Sequence, residues 1–210
     1  MIEEREYNKI DVVSFFKTDE IFGVLSNMKG KQKILINDIW FSSSEAIYQS
    51  LKFPNNKELQ IKIASENSPI LAKRIATHNV KYKREDWDHV KNNIMRLSIR
   101  IRCLQSQDFF NLLLSTSPKQ IVEISRKDSY WGALPKETNH LNGKNVLGRL
   151  LMELREEISH EEIFKNISKI LLKVNNIYIN GKQISLESII DDAKKNHLTI
   201  APNSTNTLFH

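Results

Sequence analysis

The chain has a single cysteine, and this scarcity excludes several kinds of site. Cys103 stands alone among 210 residues. The chain therefore forms neither an internal disulfide framework nor a paired-cysteine metal site. A nucleophilic role for a lone thiol requires a neighbouring base. The apolar run IRIRCLQ around Cys103 instead favours a buried, unreactive side chain.

Long apolar runs and metal-ligand spacings are also missing. No stretch approaches the roughly 20 apolar residues of a membrane span, and the initial segment MIEEREYNKID lacks an apolar signal region. The sequence therefore predicts a cytoplasmic protein. The six histidines are scattered, without HxxxH or HExxH spacing, and neither GxGxxG nor GxxxxGK[ST] occurs. We expect no metal and no cofactor.

The composition is that of a globular protein with an excess of positive charge. Apolar residues make up 40% of the chain and charged residues 27%, which suits an ordinary core. The net charge of +6 favours polyanionic partners such as nucleic acid, nucleotides or phosphorylated metabolites. A lysine-rich solvated surface without such a partner is the alternative interpretation.

Apolar patterning predicts an α+β fold that is mostly helical. A single domain is expected over residues 1–159, followed by a small C-terminal appendage over 160–210. Short strands are expected at VVSFF, KILI, IWF and QIVEIS, with Asn37-Asp38 forming a turn. Helices are expected at about 44–53, KELQIKIASE, SPILAKRIAT, 85–105, 108–115 and NVLGRLLMELREEIS. The segment 125–145 is predicted to be a long irregular loop.

The appendage has its own pattern. A helix at EEIFKNISKILLKV leads to IYINGKQIS, where Asn180-Gly181 predicts a hairpin turn. A short last helix follows at SLESIIDDAKKNH, and APNSTNTLFH is predicted to be a frayed end.

A polar stripe on the predicted 44–53 helix is the first candidate site. Ser42 and Glu45 form a capping-box pattern at its start. Glu45, Tyr48, Gln49 and Lys52 stand at positions i, i+3, i+4 and i+7, so they share one helix face. Cleavage of a ribose–base bond needs an acid/base group and a carboxylate or nucleophile for the ribose carbon. A lysine with a lowered pKa can capture ring-opened ribose as a Schiff base. An exposed face with weak ion pairs is the alternative.

The predicted loop is the second candidate. Trp131, beside a glycine, is suited to stack on a base, and Asp128 to bind ribose hydroxyls. The helix start near Asn145 offers N–H groups to a phosphate. The alternative is a tryptophan that fills the core, with glycines that serve only the turns.

Five segments in chain order resemble the motifs of the NADAR family, which includes N-glycosidases of riboflavin-pathway intermediates. These segments are FFKTDEIFGVLSNM, SSSEAIYQSLKF, SPILAKRIA, REDWDHVKNNIM and EISRKDSYWGALPKETNHLNGKNVLGRLLMELR. The resemblance covers about residues 14–158. Matching positions include Ser26, Asn27, Glu45, Gln49, Lys52, Phe53, Asp86, Trp87, Lys91 and Met95.

The resemblance implies a mostly helical α+β domain with a cleft between the 45–52 helix and the 128–148 loop. It implies Lys52 as the nucleophile toward the ribose carbon and Glu45 as the acid/base; which of the two takes which role is open. The residues implied to bind substrate are Ser26, Asn27, Tyr48, Gln49, Trp87, Asp128, Tyr130, Trp131, Gly132, Asn145 and Gly148.

The chain departs from the family at a few positions. Ala46 stands where the family often has His, and Ala133-Leu134 replaces the usual Asp/Gly after Trp-Gly. These changes leave the small-metabolite specificity open. Residues 160–210 match no motif of the family.

Three functions follow from the resemblance. The leading hypothesis is hydrolysis of the bond between ADP-ribose and guanine in DNA or RNA, as in antitoxins that reverse the action of an ADP-ribosyltransferase toxin. The second is N-glycoside hydrolysis of a phosphorylated riboflavin precursor. The third is an ADP-ribose-binding module without turnover.

Overall fold

The computed structural model describes residues 2–136 and 138–200, and within these ranges the fold is α+β, as predicted. The described part contains nine short strands, eight α-helices and two 3-10 turns. The strands are β1 (Arg5–Asn8), β2 (Val13–Phe15), β3 (Ile34–Ile36), β4 (Ile39–Phe41), β5 (Ile121–Glu123), β6 (Leu134–Pro135), β7 (His140–Gly143), β8 (Tyr178–Ile179) and β9 (Lys182–Gln183). The helices are α1 (Ser44–Ser50), α2 (Lys57–Ala64), α3 (Pro69–His78), α4 (Trp87–Cys103), α5 (Gln107–Ser115), α6 (Val146–Ser159), α7 (Ile163–Lys173) and α8 (Leu186–Ile200).

The chain divides into two compact units that do not follow the sequence linearly. The first unit contains the residues up to Ser26 together with Asp108–Ile163, and the second contains Asn27–Gln107 together with the residues from Phe164 onward. These limits do not coincide with the boundary between residues 159 and 160 that the sequence predicted. None of the described helices is long and apolar enough to cross a membrane.

The first unit is built on two small sheets. Strand β7 pairs antiparallel with β1 and β6, and β2 pairs parallel with β5. One small apolar cluster of this unit consists of Tyr7, Val122, Ala133 and Leu141. The segment 125–145 is therefore not a long irregular loop, because it contributes two strands. Periodicity does not reveal them, since both are short and β7 pairs with β1 near the N-terminus.

The second unit surrounds helix α1. Every residue of α1 is buried, and α2, α3 and α4 all pack against it. The predicted β3–β4 hairpin is present, and its turn residues Asn37 and Asp38 have φ angles of 47° and 67°. Asparagine and aspartate tolerate this left-handed conformation better than most residues, which explains why the dipeptide marks the turn.

The C-terminal segment is bonded into this second unit. The predicted helix, hairpin and last helix are observed as α7, β8–β9 and α8. The Asn37 N–H donates to Asp192 Oδ2 over 2.7 Å, and Gln60 Nε2 donates to the Tyr178 carbonyl over 2.7 Å. Asn196 Nδ2 donates to the Lys33 carbonyl over 2.6 Å. Side-chain bonds of this kind fix the position of the segment on the unit. The tail APNSTNTLFH lies outside the described residues.

Candidate functional site

Helix α1 begins one residue later than the capping pattern indicated. Ser43 is the N-cap, and its Oγ accepts a hydrogen bond from the Ala46 N–H over 3.1 Å. Ser42, the predicted cap, instead donates from Oγ to the Glu66 carbonyl over 2.7 Å. The Glu45 side chain is consequently not part of a capping box. It is available for interactions on the polar face of the helix.

The Glu45 carboxylate is the centre of a buried network. The side chain is almost fully buried, with 3% exposure. Asn27 Nδ2 donates to Oε2 and Gln49 Nε2 donates to Oε1, each over 2.6 Å. The Glu45 N–H also donates to the Asn27 carbonyl over 3.0 Å. Amide donors on both oxygens fix the orientation of the carboxylate. Asn27 and Gln49, predicted to bind substrate, therefore hold Glu45 in this structure.

One atom of the network remains without a partner. Gln49 Oε1 is buried and has no hydrogen-bond partner among the described residues. An acceptor that is buried without a hydrogen-bond partner lowers the stability of the folded protein, so its presence calls for an explanation. It offers an acceptor to a ligand donor beside Glu45.

Lys52 lies against two aromatic rings. Its Nζ is 4.9 Å from the centroid of the Trp87 ring and 5.6 Å from that of Tyr48. The two rings are themselves in contact, with centroids 4.8 Å apart and planes inclined at 59°. Helix α1 supplies Tyr48 and positions Lys52 just after its last turn, while α4 supplies Trp87 at its first residue. The Lys52 side chain is half-buried.

This environment changes the acidity of the amine. Burial lowers the pKa of the Lys52 ammonium from 10.5 to about 8. The negative charge of Glu45 acts against this change and raises the pKa, while the positive charges of Lys73 and Lys83 lower it further. A much larger fraction of the side chain is therefore the neutral, nucleophilic amine near pH 7–8 than for an ordinary lysine. Local spacing does not reveal the effect of Lys73 and Lys83, because neither residue belongs to α1.

The remaining predicted site residues belong to the first unit, where many of their polar groups bind backbone. Asp128 Oδ1 accepts hydrogen bonds from the N–H groups of Tyr130 and Trp131, both over 2.9 Å. This local turn orients the two aromatic rings, which meet edge to face with centroids 5.3 Å apart. Trp131 is half-buried, so it neither fills the core completely nor projects into solvent. Asp128 thus shapes the loop that carries both rings.

Asn145 joins the loop to the sheet. It is fully buried and has a φ of 47°. Its Oδ1 accepts from the Glu123 N–H over 3.0 Å, and its Nδ2 donates to the Ile121 carbonyl over 2.8 Å. The N–H groups of residues 145, 146 and 147 donate to the carbonyls of residues 132, 130 and 131. The expectation that these N–H groups are open to a phosphate is therefore wrong in this structure, because loop carbonyls satisfy them.

Two glycines and a serine of the predicted site pack closely against backbone or are buried. A Cβ at Gly148 would overlap the Ile121 carbonyl, and a Cβ at Gly132 would approach the Glu123 carbonyl to 2.7 Å. Ser26 is buried, with 2% exposure, and its N–H donates to the Gly23 carbonyl. Close backbone packing explains why glycine occupies the first two positions. Substrate contact by these residues stays a prediction.

The structure brings six of the predicted residues together in the second unit: Asn27, Glu45, Tyr48, Gln49, Lys52 and Trp87. A fixed carboxylate on α1 and a weakly basic amine two residues beyond the end of that helix can transfer protons and attack an electrophilic carbon. Within the described part of the chain, no three His, Cys, Asp or Glu side chains are grouped to hold a metal ion. Cys103 is buried.

Comparison with known proteins identifies a family and a fold. The NADAR domain model matches residues 14–159. N-glycosidase YbiA of Escherichia coli (strain K12) is 34% identical over 151 residues, which are 72% of this chain and 91% of that protein. Riboflavin biosynthesis protein VVA0006 of Vibrio vulnificus (strain YJ016) is 32% identical over 146 residues, 70% of this chain but 38% of that protein. The NMR structure of the E. coli protein YbiA aligns with a TM-score of 0.62 and 32% identity, covering 73% of this chain and 88% of that one.

Proposed function

The chain belongs to the NADAR family, and we propose that it is an N-glycosidase that removes ADP-ribose from guanine bases in nucleic acid. The observation that carries the proposal is the Lys52 amine, which lies on Trp87 and Tyr48 and has a pKa of about 8. Relatives named N-glycosidase support the type of bond that is cleaved. The net charge of +6 supports a polyanionic substrate.

The proposed reaction uses Lys52 as nucleophile and Glu45 as acid/base. The neutral Lys52 amine attacks the anomeric carbon, so an N–C bond forms as the bond from that carbon to the guanine nitrogen breaks. The proton that the new ammonium loses passes through Glu45 to the departing guanine. The ribose ring opens to a Schiff base on Lys52. Water then adds to its C=N bond, and ADP-ribose leaves as the amine is restored.

The decisive experiment follows release of ADP-ribose from an oligonucleotide. A single-stranded oligonucleotide that carries ADP-ribose on guanine is incubated with the wild type, Lys52→Ala, Glu45→Ala and Lys57→Ala. Lys57 is an exposed lysine at the start of α2, so its variant is the matched control. We expect release by the wild type and the control, none by Lys52→Ala, and strongly reduced release by Glu45→Ala. The absence of release by the wild type would contradict the proposal.

Reduction with borohydride tests the covalent step. Borohydride converts a Schiff base on Lys52 to a stable amine, so mass spectrometry should find one ADP-ribose on the peptide that contains Lys52. A module that binds without turnover would give neither this adduct nor product. If Lys52→Ala still binds ADP-ribose while product is lost, the lysine acts in chemistry rather than in affinity.

The second candidate substrate is a phosphorylated riboflavin precursor. It is favoured by the similarity to a riboflavin biosynthesis protein, of whose length this chain spans 38%. The same variants incubated with such an intermediate decide between the two substrates. If the base is released from the metabolite and no ADP-ribose is released from the oligonucleotide, the protein is an N-glycosidase of the riboflavin precursor. An antitoxin role in the cytoplasm, with an ADP-ribosyltransferase toxin as partner, belongs to the first proposal only.

A further inference from the structure

The β3–β4 hairpin exposes a tryptophan beside a pocket. Trp40 is 44% exposed, whereas its strand neighbour Phe41 points into the core with 1% exposure. The alternation of side chains along β4 explains this difference. The pocket has a volume of about 530 Å³, and its lining includes Gln32, Lys33, Trp40 and Asn67. This volume falls in the range that small organic ligands occupy.

A lysine-rich segment precedes the hairpin, and its last lysine, Lys33, lines the pocket with Trp40. The segment KGKQK contributes Lys29, Lys31 and Lys33 just before β3, and all three are half-buried or exposed. No carboxylate lines the pocket as described. Asp38, the acidic residue of the hairpin turn, is paired with Lys182 over 2.7 Å. An exposed indole with Lys33 in the same lining, and with Lys29 and Lys31 four and two residues before Lys33 along the chain, suits a base that stacks on the ring and phosphates that bind lysines.

We propose that the Trp40 pocket binds a nucleotide of a single-stranded nucleic acid, with its base stacked on the indole and the neighbouring phosphates on Lys29, Lys31 and Lys33. This inference rests on the proposed function, because it assigns the surface that holds the nucleic-acid substrate next to the modified guanine. The lysine segment begins two residues after Asn27, whose amide holds Glu45. The lysines thus follow closely along the chain after a residue of the Glu45 network, and we infer that a strand bound along them continues toward that network.

Binding of an unmodified strand tests the pocket directly. A fluorescein-labelled oligothymidine of twelve nucleotides is titrated with the protein at several salt concentrations, and anisotropy reports the Kd. We expect Trp40→Ala to weaken binding roughly tenfold, because an aromatic platform contributes that much per stacked base. Trp40→Phe keeps an aromatic face and should weaken binding less. It also controls for misfolding of the alanine variant.

Two matched triple variants test whether the lysines before β3 bind the phosphates. Lys29→Gln, Lys31→Gln and Lys33→Gln together should reduce the slope of log Kd against log salt by about 2, since each phosphate contact on a single strand contributes roughly 0.7. Lys165→Gln, Lys169→Gln and Lys173→Gln remove the same charge from α7 and should leave most of the slope. Equal losses in the two triple variants, or wild-type affinity in Trp40→Ala, would overturn the inference.

Turnover measurements separate this inference from the proposed function. ADP-ribosylated guanosine and an ADP-ribosylated oligonucleotide are compared as substrates. Trp40→Ala should raise KM for the oligonucleotide about tenfold relative to KM for the nucleoside. If the strand binds through Trp40 but no ADP-ribose is released from either substrate, only the proposed function fails. If release occurs and the ratio of KM values equals that of the wild type, only the Trp40 site fails.

Discussion

The two groups of predicted site residues use their polar atoms in different ways. In the second unit, Asn27 and Gln49 bond another side chain, Glu45, and the Lys52 ammonium faces aromatic rings. In the first unit, the side chains of Asp128 and Asn145 bond backbone N–H and carbonyl groups. In the second unit, polar side chains thus orient an ionisable group. In the first unit, they stabilise the conformation of a loop.

This contrast predicts which residues perform chemistry and which residues shape the protein. A buried backbone group needs a hydrogen-bond partner in the folded state. Removing the side chain that serves as this partner therefore lowers the free energy of unfolding. An amine with a lowered pKa has no such structural need, and its unusual environment indicates a functional role. Substitutions in the helix should therefore reduce turnover, and substitutions in the loop should reduce the free energy of unfolding.

The largest effect is expected at Lys52. Lys52→Met keeps most of the stem packed on Trp87 while removing the amine, so kcat should fall by roughly a thousandfold or more. The melting temperature should stay close to that of the wild type, because the ammonium is half-buried and desolvated. Thermal unfolding and ADP-ribose release are measured on the same preparation. Substantial turnover by Lys52→Met would show that another group is the nucleophile.

Asn145 should show the opposite behaviour. Asn145→Ala leaves the Ile121 carbonyl and the Glu123 N–H without partners, which should lower the free energy of unfolding by about 2–4 kcal/mol. Urea denaturation measures the change, with Asn55→Ala as an exposed control. Turnover per folded molecule should change little. If turnover is lost while stability is kept, Asn145 contacts substrate and the contrast between the two regions fails at this residue.

A smaller change is expected at Asp128. Asp128→Ala removes the acceptor of two loop N–H groups and should lower the free energy of unfolding by about 1 kcal/mol. Asp128→Asn keeps an oxygen acceptor and should restore most of that stability. Urea denaturation and KM are measured for both variants. An asparagine variant that is stable but has a strongly raised KM would indicate that the carboxylate also binds ribose, as the sequence suggested.

The smallest effect concerns the pH dependence. Only the neutral amine of Lys52 attacks, so kcat/KM should rise with pH and level off above about 8. The positive charge of Lys83 lowers the pKa of Lys52, so Lys83→Gln should raise that pKa and move the profile to higher pH. Lys73→Gln should act in the same direction. The pH profile of kcat/KM is compared with that of Lys57→Gln, and a shift to lower pH would contradict the assignment.

Local patterns were enough to predict much of the second unit. The helical spacing predicts that Glu45, Gln49 and Lys52 share one polar face. Helix α1 carries Glu45 and Gln49 but ends at Ser50, before the predicted end near residue 53, so Lys52 lies in the turn that follows. Asn37-Asp38 and Asn180-Gly181 predicted two hairpins that the structure confirms. These features depend on neighbours within a few residues, where backbone preference and periodicity act directly.

Other features depended on partners far along the chain. Strand β7 has no local signal because it pairs with β1, about 135 residues earlier in the chain, and the two-residue strand β6 exists only through its pairing with β7. The cap of α1 was placed at Ser42, since the spacing to Glu45 could not show that Glu45 would bond Asn27 instead. The hydrogen bond from Asn145 Nδ2 to the Ile121 carbonyl of β5 likewise cannot be predicted from neighbouring residues in the sequence.

The sequence by itself determined the family, the helix that carries Glu45 and Gln49, and the excess of positive charge. These follow from residue identity and short-range spacing. The tertiary structure decided that Asn27 and Gln49 fix the carboxylate, that Trp87 and Tyr48 cover the lysine, and that its pKa falls to about 8. Desolvation and the charges of Lys73 and Lys83 arise only when distant segments pack around one helix, so no reading of local spacing could supply them.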